Sequence, residues 1–424
     1  MMRFRITTLG CKVNAYESEF YVEQLKKAGY IEAGPDEPCD VSIINTCTVT
    51  NMAAQKSRKK IHQEKRLNPN AKIVVVGCYV QHASKEARED LDADLIIGAK
   101  YKGALVEKIN ELMEKDQKAD LVENVDSFTD FEEMPITCFE TKHRAFLKVE
   151  DGCNQFCSFC AIPFARGRER SLPHDQVISI AKTLEQKGHK EIVLTGIHTG
   201  RYYDHGMHLA DLLKLLLEHT SKDVYYRISS IEITEVSDEL LELMKEDARI
   251  CHHLHIPVQS ASNETLKRMN RPYTIEQFKD RVEKIRMEIP DISISTDVIT
   301  GFVQESDEEF AQTVKNIQDI GFSFLHVFPY SKRDGTAASK LKGEVHGSIQ
   351  KERTNTLLKL SNELRLKDMK RFNSSLVLIE TENKDYYTGY TLQYHPVRIT
   401  KTKPLEGRIL VENLQVHPDG YYVV

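Results

Sequence analysis

Three cysteines occur within the segment CNQFCSFC at 153–160. Their thiolates could hold zinc or an iron–sulfur cluster, and both groups usually take four protein ligands. We find no further Cys or His at a fixed offset that would complete a zinc site. A redox disulfide would use Cys157 and Cys160 and would leave Cys153 unexplained. The spacing therefore favours a [4Fe–4S] cluster with one open iron, which could bind a substrate or cofactor.

A second set of three cysteines follows three strand-like segments. Cys11 comes after FRITTLG, Cys47 after VSIINT and Cys78 after KIVVVG. Because the carboxyl ends of parallel strands lie along one edge of a sheet, we expect these thiols to converge. Each of them alone could be a buried, small apolar residue. Together they predict a second metal or cluster site, again with three protein ligands.

The elements that must position these cysteines alternate between strand and helix, so we predict an α/β protein. Six strand–helix units in the middle of the chain are too few for a closed eight-stranded barrel and predict a partial (β/α)6 barrel. Short strands rich in aromatic and β-branched residues near the end predict a small β-barrel. The predicted parts are a parallel α/β domain at 1–115, an acidic linker at 116–143, the barrel domain at 144–347, a charged helix at 348–371 and the small barrel at 372–424.

Composition limits the class of protein. The chain has 424 residues, a net charge of −6 and charged residues of both signs, which does not favour disorder. No stretch approaches the roughly 18 apolar residues of a membrane span, and no export signal is evident, so we expect a cytoplasmic protein without membrane contact. Nine cysteines in such a chain indicate metal or catalytic thiols more than disulfides.

Two basic stretches could bind nucleic-acid phosphates despite the negative net charge. Lys59 and Lys60 lie in NMAAQKSRKKIHQEKR, and Arg166, Arg168 and Arg170 lie in FARGRER. The alternative is a solvated helix face and a charged loop. Tyrosines of the last strands could likewise stack on RNA bases or pack within the small barrel.

Several motifs resemble those of the radical S-adenosylmethionine methylthiotransferases. CNQFCSFC with its continuation AIPFARGRERS is similar to that family's cluster loop, and TLGCKVNAYESE, NTCTVT and VVVGCY resemble its N-terminal motifs. TGIHTG, RISSIE, HIPVQS, MNRPYT and TDVITGF resemble its barrel motifs. Within the family, GCKVN with TGIHTG is most similar to the tRNA enzymes that act on threonylcarbamoyladenosine at position 37. Isopentenyladenosine enzymes tend to carry GCQMN, and ribosomal-protein enzymes GCxKN.

The resemblance implies two [4Fe–4S] clusters and S-adenosylmethionine as cofactors. Cys153, Cys157 and Cys160 would hold the cluster that binds S-adenosylmethionine and cleaves it to a 5′-deoxyadenosyl radical. Cys11, Cys47 and Cys78 would hold an auxiliary cluster that supplies the sulfur inserted at carbon 2 of the adenine. The expected cofactor contacts at the barrel-strand ends are Thr195, Gly196, Ser230, Glu232 and Gln259.

The resemblance also implies partners. These are a tRNA anticodon stem-loop and an electron donor such as a flavodoxin or a ferredoxin-like protein, and the strand-rich tail would be an RNA-binding TRAM domain. Two alternatives remain open at this stage: the same chemistry on isopentenyladenosine or on a ribosomal-protein side chain, and a non-enzymatic iron–sulfur RNA-binding protein. The sequence singles out no acid or base catalyst.

Two segments depart from the family pattern. QSAS has Ala261 where the family usually has glycine, and GFVQES has Val303 and Gln304 where GFPGE is usual. Alanine does not easily adopt a positive φ, so a left-handed turn at Ala261 would be strained. We expect these two loops to differ most from the family's cofactor site.

Overall fold

The first third of the chain forms a six-stranded sheet in which every strand is parallel to its neighbours. The computed structural model describes residues 1–35, 37–48, 50–139 and 143–424. The strand order is β2-β1-β3-β4-β5-β6. The strands are β1 Arg3–Thr8, β2 Ile31–Glu32, β3 Val41–Thr46, β4 Lys72–Gly77, β5 Leu95–Ile97 and β6 Ala119–Asp120. This sheet confirms the parallel α/β prediction, and only the two-residue edge strands β2 and β6 went unpredicted.

Helices cover both faces of this sheet, which is why its central strand β3 is buried along its whole length. Buried residues of α1 and α5 pack on one face and buried residues of α2 and α3 on the other. The helices are α1 Lys12–Lys27, α2 Asn51–Leu67, α3 Cys78–His82, α4 Lys85–Glu89 and α5 Leu105–Lys115.

The segment predicted as a linker is more ordered than its acidic composition suggested. It contains β6 and a 3₁₀ turn at Val125–Ser127, and Met134 and Ile136 are buried in the main core. The Tyr16 hydroxyl of α1 donates a hydrogen bond to the Met134 carbonyl at 2.7 Å. Part of this predicted linker, 140–142, lies outside the described residues. Around Met134 the segment is therefore packed against α1.

Six parallel strands in the middle of the chain form two three-stranded sheets, in the orders β13-β10-β7 and β14-β15-β16. One parallel bridge between Tyr226 and Ile250 joins them. Among the described residues β7 and β16 do not pair, so the predicted partial barrel is confirmed and is open between them. Four further short strands form two antiparallel pairs, β8 with β9 and β11 with β12. The strands of this region are β7 Arg144–Lys148, β8 Glu150–Asp151, β9 Arg170–Ser171, β10 Glu191–Thr195, β11 Tyr203–Asp204, β12 Met207–His208, β13 Tyr225–Ile228, β14 His253–His255, β15 Ser293–Thr300 and β16 Phe324–Pro329.

Amphipathic helices separate the barrel strands and bury their apolar faces against them. Capping boxes at Thr274 and Ser306 fix where α11 and α12 begin, because each side chain satisfies a free backbone N–H. The helices are α6 Ile162–Arg166, α7 His174–Gln186, α8 Leu209–His219, α9 Asp238–Glu246, α10 Asn263–Arg268, α11 Ile275–Glu288 and α12 Asp307–Ile320.

A long helix, α13 Gly347–Met369, packs against β15 and β16 and leads into a six-stranded sheet. Its order is β20-β17-β18-β19-β22-β21, and the outer strands β20 and β21 do not pair in the described part of the chain. The predicted small β-barrel is therefore an open, mainly antiparallel sheet. Its strands are β17 Ser374–Glu382, β18 Tyr386–Thr391, β19 Pro396–Thr400, β20 Arg408–Glu412, β21 Gln415–His417 and β22 Tyr421–Val423. Every described helix is too short or too polar to traverse a lipid bilayer.

Candidate functional site

The three N-terminal cysteines lie at the carboxyl ends of adjacent strands. β1, β3 and β4 are neighbours in the sheet; Cys47 directly follows β3, Cys78 directly follows β4, and Cys11 follows β1 and precedes α1. Gly10 has a φ of +114°, and a Cβ there would lie 2.9 Å from the Cys47 Cβ. The absence of a side chain at Gly10 thus allows the Cys11 loop to approach Cys47. The structure brings the predicted set together.

A buried arginine contacts this thiol cluster. Arg166 at the end of α6 donates from Nε to the Cys78 Sγ at 3.0 Å. The Cys11 thiol donates to Asn14 Oδ1 at 3.3 Å, and Arg166 Nη2 donates to the same oxygen at 3.4 Å. Burial raises the pKa of Cys11, and the charge of Arg166 opposes that shift. A cation fixed beside thiols stabilises the thiolate form that metal ligation requires.

Arg166 is itself held by carboxylates. It pairs with Glu17 at 2.6 Å and with Asp151 at 3.3 Å, and Lys102 and Lys148 complete the network at 2.8 Å from Glu17 and 2.6 Å from Asp151. Although burial alone would raise it, the charges of Arg166, Lys102 and Lys148 lower the pKa of Glu17 to about 2. The prediction that Arg166 contacts tRNA phosphates is wrong, because its side chain is fully buried in this network.

The second set of cysteines lies in the loop after β7 and β8. Phe156 has a φ of +48° and turns the chain between Cys153 and Cys157, and its carbonyl accepts a hydrogen bond from Asn270 at 3.2 Å. Burial, followed by the charges of Cys157 and Cys153, raises the pKa of Cys160 to about 12. A bound metal cation would relieve this repulsion between the sulfurs.

Arg271 provides the cation at this second set. Its Nη1 donates to the Cys157 Sγ at 3.2 Å, and its Nη2 pairs with Glu232, one of the predicted cofactor contacts. The Tyr273 hydroxyl accepts a hydrogen bond from Arg271 Nε at 3.1 Å. Sequence reasoning missed Arg271, although the motif MNRPYT that contains it had been recognised. Both thiol sets therefore have one buried arginine aimed at a sulfur.

His198 lies beside Cys153, with its Nδ1 3.5 Å from the Sγ, and Cys153, Glu169 and His198 could together hold a metal ion. Burial opposes its charge, but contacts with Cys153, Glu169 and Glu235 raise the pKa of His198 to about 12. A protonated imidazole has no lone pair for a metal. His198 is thus better suited to donate a hydrogen bond to the Cys153 sulfur than to fill a fourth ligand position.

The two thiol sets are joined by one short helix. α6 begins two residues after Cys160, packs against α3, and ends at Arg166, which contacts Cys78. The donor sets fit two iron–sulfur clusters, because each offers three thiols and an arginine cation beside them. Among the neighbours described above, neither set has a neutral histidine that could act as a fourth ligand.

A cavity of about 850 Å³, here called the central cavity, lies between the N-terminal sheet, the two barrel sheets and the C-terminal sheet. Thr195, Gly196 and Ser230, predicted to contact cofactor, line it at the barrel-strand ends. Cys11 and Lys12 line it from the N-terminal side, and Arg365, Tyr390, Gln393 and Tyr394 from α13 and the C-terminal sheet. The cavity therefore brings one thiol of the N-terminal set, Cys11, and the barrel-strand ends to a shared volume.

Two predicted cofactor residues have largely backbone roles. A Cβ at Gly196 would lie 2.7 Å from Glu150 Oε2, and that buried oxygen accepts a hydrogen bond from the His198 N–H at 2.6 Å. Burial raises the pKa of Glu150 to about 8. Gln259 is not among the residues that line the central cavity; it bridges to Val298 and has a φ of +64°.

The remaining basic candidates are distributed over two surfaces. Lys59 is exposed on α2, and Lys60 on the same helix pairs with Glu64 at 2.6 Å. Arg168 is exposed and its guanidinium lies over the Phe156 ring at 4.6 Å, whereas Arg170 donates to the Arg168 carbonyl at 2.7 Å. Of the five predicted RNA contacts, Lys59 and Arg168 are the freest to meet a phosphate.

The two departures from the family pattern differ in consequence. Ala261 is buried and does not have a positive φ, because the left-handed residue of that loop is Gln259. The strain expected at Ala261 is therefore absent. Gln304 does have a φ of +63°, at the position where the family usually has glycine.

Comparisons with known proteins agree with this site. The radical SAM superfamily model matches residues 147–317, and the model of uncharacterized protein family UPF0004 matches residues 3–98. A threonylcarbamoyladenosine tRNA methylthiotransferase of Bacillus subtilis is 40% identical over 95% of this chain and 91% of its own length. The corresponding Thermotoga maritima protein is 40% identical over 88% of this chain and 84% of its own.

More distant similarities show the extent of the fold. A tRNA-2-methylthio-N(6)-dimethylallyladenosine synthase of a Thermoanaerobacter species is 34% identical over 89% of this chain and 82% of its own. The radical S-adenosylmethionine methyltransferase TsrM of Kitasatospora setae superposes with a TM-score of 0.57 at 13% identity, covering 77% of this chain and 73% of its own. The thiol sets, the partial barrel and the curated relatives agree: the chain belongs to the radical S-adenosylmethionine methylthiotransferase family.

Proposed function

We propose that this protein transfers a methylthio group to carbon 2 of N6-threonylcarbamoyladenosine at position 37 of tRNA. The observation that carries the proposal is the link that α6 makes between two three-thiol sets, together with a cavity that Cys11 shares with the barrel-strand ends and the C-terminal sheet. The cofactors are S-adenosylmethionine and two [4Fe–4S] clusters. The relatives named as threonylcarbamoyladenosine tRNA methylthiotransferases support this choice of nucleoside.

The residues of this chain hold and shield the cofactors. Cys153, Cys157 and Cys160 would hold the cluster that supplies the electron for reductive cleavage of S-adenosylmethionine, and Cys11, Cys47 and Cys78 the one that supplies sulfur. Arg271 and Arg166 donate hydrogen bonds to one sulfur of each set. Glu17 and Glu150 are fully buried, and Glu17 holds Arg166 beside the N-terminal set.

The C-terminal sheet carries an RNA-compatible surface, as expected of a TRAM-like domain. Arg398 lies over the Tyr421 ring at 4.1 Å and over Tyr386 at 5.4 Å, and His417 stacks on Tyr421 at 4.4 Å. Stacked aromatic and guanidinium groups offer faces to unpaired bases, such as those of an anticodon loop. We assign this surface, with Lys59 and Arg168, to the anticodon stem-loop. A flavodoxin or ferredoxin-like donor would supply the electron, and the reaction would take place in the cytoplasm, where tRNA matures.

The test is an anaerobic assay of reconstituted protein with anticodon stem-loops that carry threonylcarbamoyladenosine or dimethylallyladenosine. We expect methylthiolation of the first RNA, detected by mass spectrometry of nucleosides, and about eight irons per chain, four for each cluster. Cys157→Ala should abolish 5′-deoxyadenosine formation and leave the N-terminal set loaded. Cys39→Ala, a cysteine outside both sets, is the matched control and should keep full activity.

Three results would overturn the proposal. Methylthiolation of only the dimethylallyladenosine RNA would favour that substrate. Modification of a ribosomal-protein side chain with neither RNA changed would favour the protein substrate. Tight RNA binding with loaded clusters but no cleavage of S-adenosylmethionine would leave an iron–sulfur RNA-binding protein.

A further inference from the structure

Two cations that line the central cavity lack an anionic partner. The side chains of Lys12, the first residue of α1, and Arg365, on α13, make no hydrogen bond or ion pair with any residue in the described ranges. By contrast, the buried Lys148 is paired with Asp151 at 2.6 Å. Unpaired cations that converge on one cavity from two separate elements indicate an anionic ligand.

The side chain of Arg365 is held toward the cavity by aromatic packing. Its guanidinium lies 3.8 Å from the ring centroid of Phe324, which also lines the cavity. Phe324 in turn packs edge-to-face on His326, with ring centroids 4.6 Å apart. Stacking on Phe324 fixes the guanidinium plane without using its N–H donors, so these donors remain available to a planar, two-oxygen acceptor.

The only carboxylate that lines the cavity within the described residues is already engaged. Asp297 Oδ1 lies 3.2 Å from His255 Nε2. With His326, these two residues could hold a metal ion. Burial and His255 lower the pKa of His326, Asp297 opposes this shift, and Arg365 and Lys12 add smaller effects of positive charge from the same cavity wall. A divalent cation would meet the same repulsion, whereas an anion would be attracted.

We propose that Lys12 and Arg365 form a subsite for the α-carboxylate of the threonylcarbamoyl group. This inference rests on the proposed function and adds to it the group that selects the substrate. A threonylcarbamoyl group ends in a carboxylate, whereas a dimethylallyl group is a hydrocarbon and leaves both cations without a partner. The position of Lys12 fits this assignment, since Lys12 follows the cluster residue Cys11 and lies on the same cavity wall.

A backbone phosphate of the same RNA is the competing source of negative charge. The two sources differ in one property: a phosphate is present in every anticodon stem-loop, and the carboxylate is present only in the threonylcarbamoyl form. The experiment therefore compares two RNAs of identical backbone, one with threonylcarbamoyladenosine and one in which a primary amide replaces the carboxylate.

Dissociation constants of both RNAs are measured for reconstituted wild-type protein, Lys12→Met, Arg365→Gln and the conservative variants Lys12→Arg and Arg365→Lys. A charge-assisted contact predicts that wild type prefers the carboxylate RNA by about tenfold or more. Lys12→Met and Arg365→Gln should each lose that preference while they bind the amide RNA as wild type does, and Lys12→Arg should restore part of it. Lys245→Gln, an exposed lysine paired with Glu288, is the matched control.

Iron content and thermal midpoint show whether each variant is folded and loaded. Equal weakening for both RNAs would assign the cations to a phosphate and overturn the subsite. An unchanged preference for the carboxylate RNA in all variants would also overturn the subsite. If removal of a divalent metal abolished the preference, a metal site formed by His255, Asp297 and His326 would replace it. Failure of wild type to methylthiolate the natural RNA would instead refute the proposed function.

Discussion

Gln304 shows how a single residue can carry backbone strain. Its φ of +63° is a conformation that glycine adopts freely and that costs other residues about 1–2 kcal/mol. Its side chain offsets part of this cost, because Nε2 donates to the Lys342 carbonyl at 2.9 Å. The substitution Gln304→Gly should therefore leave the free energy of unfolding unchanged or raise it by up to about 1 kcal/mol. The thermal midpoint should stay the same or rise accordingly.

The control for this prediction is a glutamine in an ordinary helical conformation. Gln318 is exposed on α12, so Gln318→Gly should destabilise the protein by about 0.5–1 kcal/mol. Differential scanning calorimetry of both variants tests the difference in sign. A midpoint that falls equally in both would show that the left-handed backbone at 304 is not strained.

Gly196 leads to a second prediction, which concerns space and not φ. The substitution Gly196→Ala would place a Cβ 2.7 Å from Glu150 Oε2, which is fully buried and fixed by the His198 N–H. Overpacking of this kind costs about 1–3 kcal/mol, so the thermal midpoint should fall. Gly347→Ala, where a Cβ would meet nothing within 4 Å, should have little effect. Equal midpoints in the two variants would contradict the contact.

The residues that form the thiol sets were easier to predict from the sequence than the residues that contact them. Cys11, Cys47 and Cys78 could be predicted to converge because strand ends share an edge, which is a local rule. Arg166 could not be placed, because its partners Glu17 and Asp151 come from other elements, 149 and 15 residues away. A basic motif in a sequence does not show whether its charge is buried, since that depends on which distant carboxylates fold beside it.

At the scale of elements, α6 is the connection between the two thiol sets. It contains only Ile162–Arg166, yet its last residue reaches Glu17 on α1, Asp151 on β8 and Cys78 on α3. A helix this short is not stable alone and depends on these tertiary contacts. The ion network of Arg166 therefore fixes the position of the first cluster loop relative to the N-terminal sheet.

Removal of the Arg166 charge tests that connection. Arg166→Met should destabilise the protein by about 3–5 kcal/mol, because Glu17 and Asp151 lose a buried partner. The same change should lower iron content at the N-terminal set, measured after Cys157→Ala has emptied the other. Arg168→Gln, on the exposed side of the same segment, should keep stability and iron content and weaken tRNA binding. If Arg166→Met weakened only tRNA binding, Arg166 would be a surface contact after all.

Elements with long runs of β-branched residues were predicted correctly, and those defined by tertiary pairing were not. KIVVVG and VSIINT carry runs of β-branched residues that favour a strand, whereas β2 and β6 are two-residue strands defined by their pairing with β1 and β5. The closure of the C-terminal sheet likewise depends on pairing between distant strands, so short strands alone suggested a barrel where the sheet is open. The residue pattern of a segment predicts whether it is a strand or a helix, whereas pairing with distant strands determines its position in a sheet.

At the scale of the whole molecule, one carboxylate joins the barrel to the C-terminal sheet. Glu191 at the start of β10 accepts from Arg144 and Arg227 at 2.9 Å each and from Arg408 of β20 at 2.8 Å. Arg227 also donates to the Leu392 carbonyl at 3.1 Å, and its guanidinium lies 4.8 Å from the Tyr394 ring. Because Tyr394 lines the central cavity, this network positions the cavity wall that the C-terminal sheet supplies.

The substitution Glu191→Gln should therefore loosen the C-terminal sheet before it unfolds the barrel. Burial opposes ionisation of Glu191, but the three arginines hold its pKa well below the usual range, so neutralisation removes a full charge. Loss of a buried partner costs about 3–5 kcal/mol, whereas the same change at the exposed Glu288, paired with Lys245, should cost about 0–1 kcal/mol. Hydrogen exchange should accelerate in β17, β18 and β20 of Glu191→Gln, and the affinity for the anticodon stem-loop should fall. Faster exchange confined to β7, β10 and β13 would instead mean that Glu191 stabilises the barrel alone and that other contacts hold the C-terminal sheet against it.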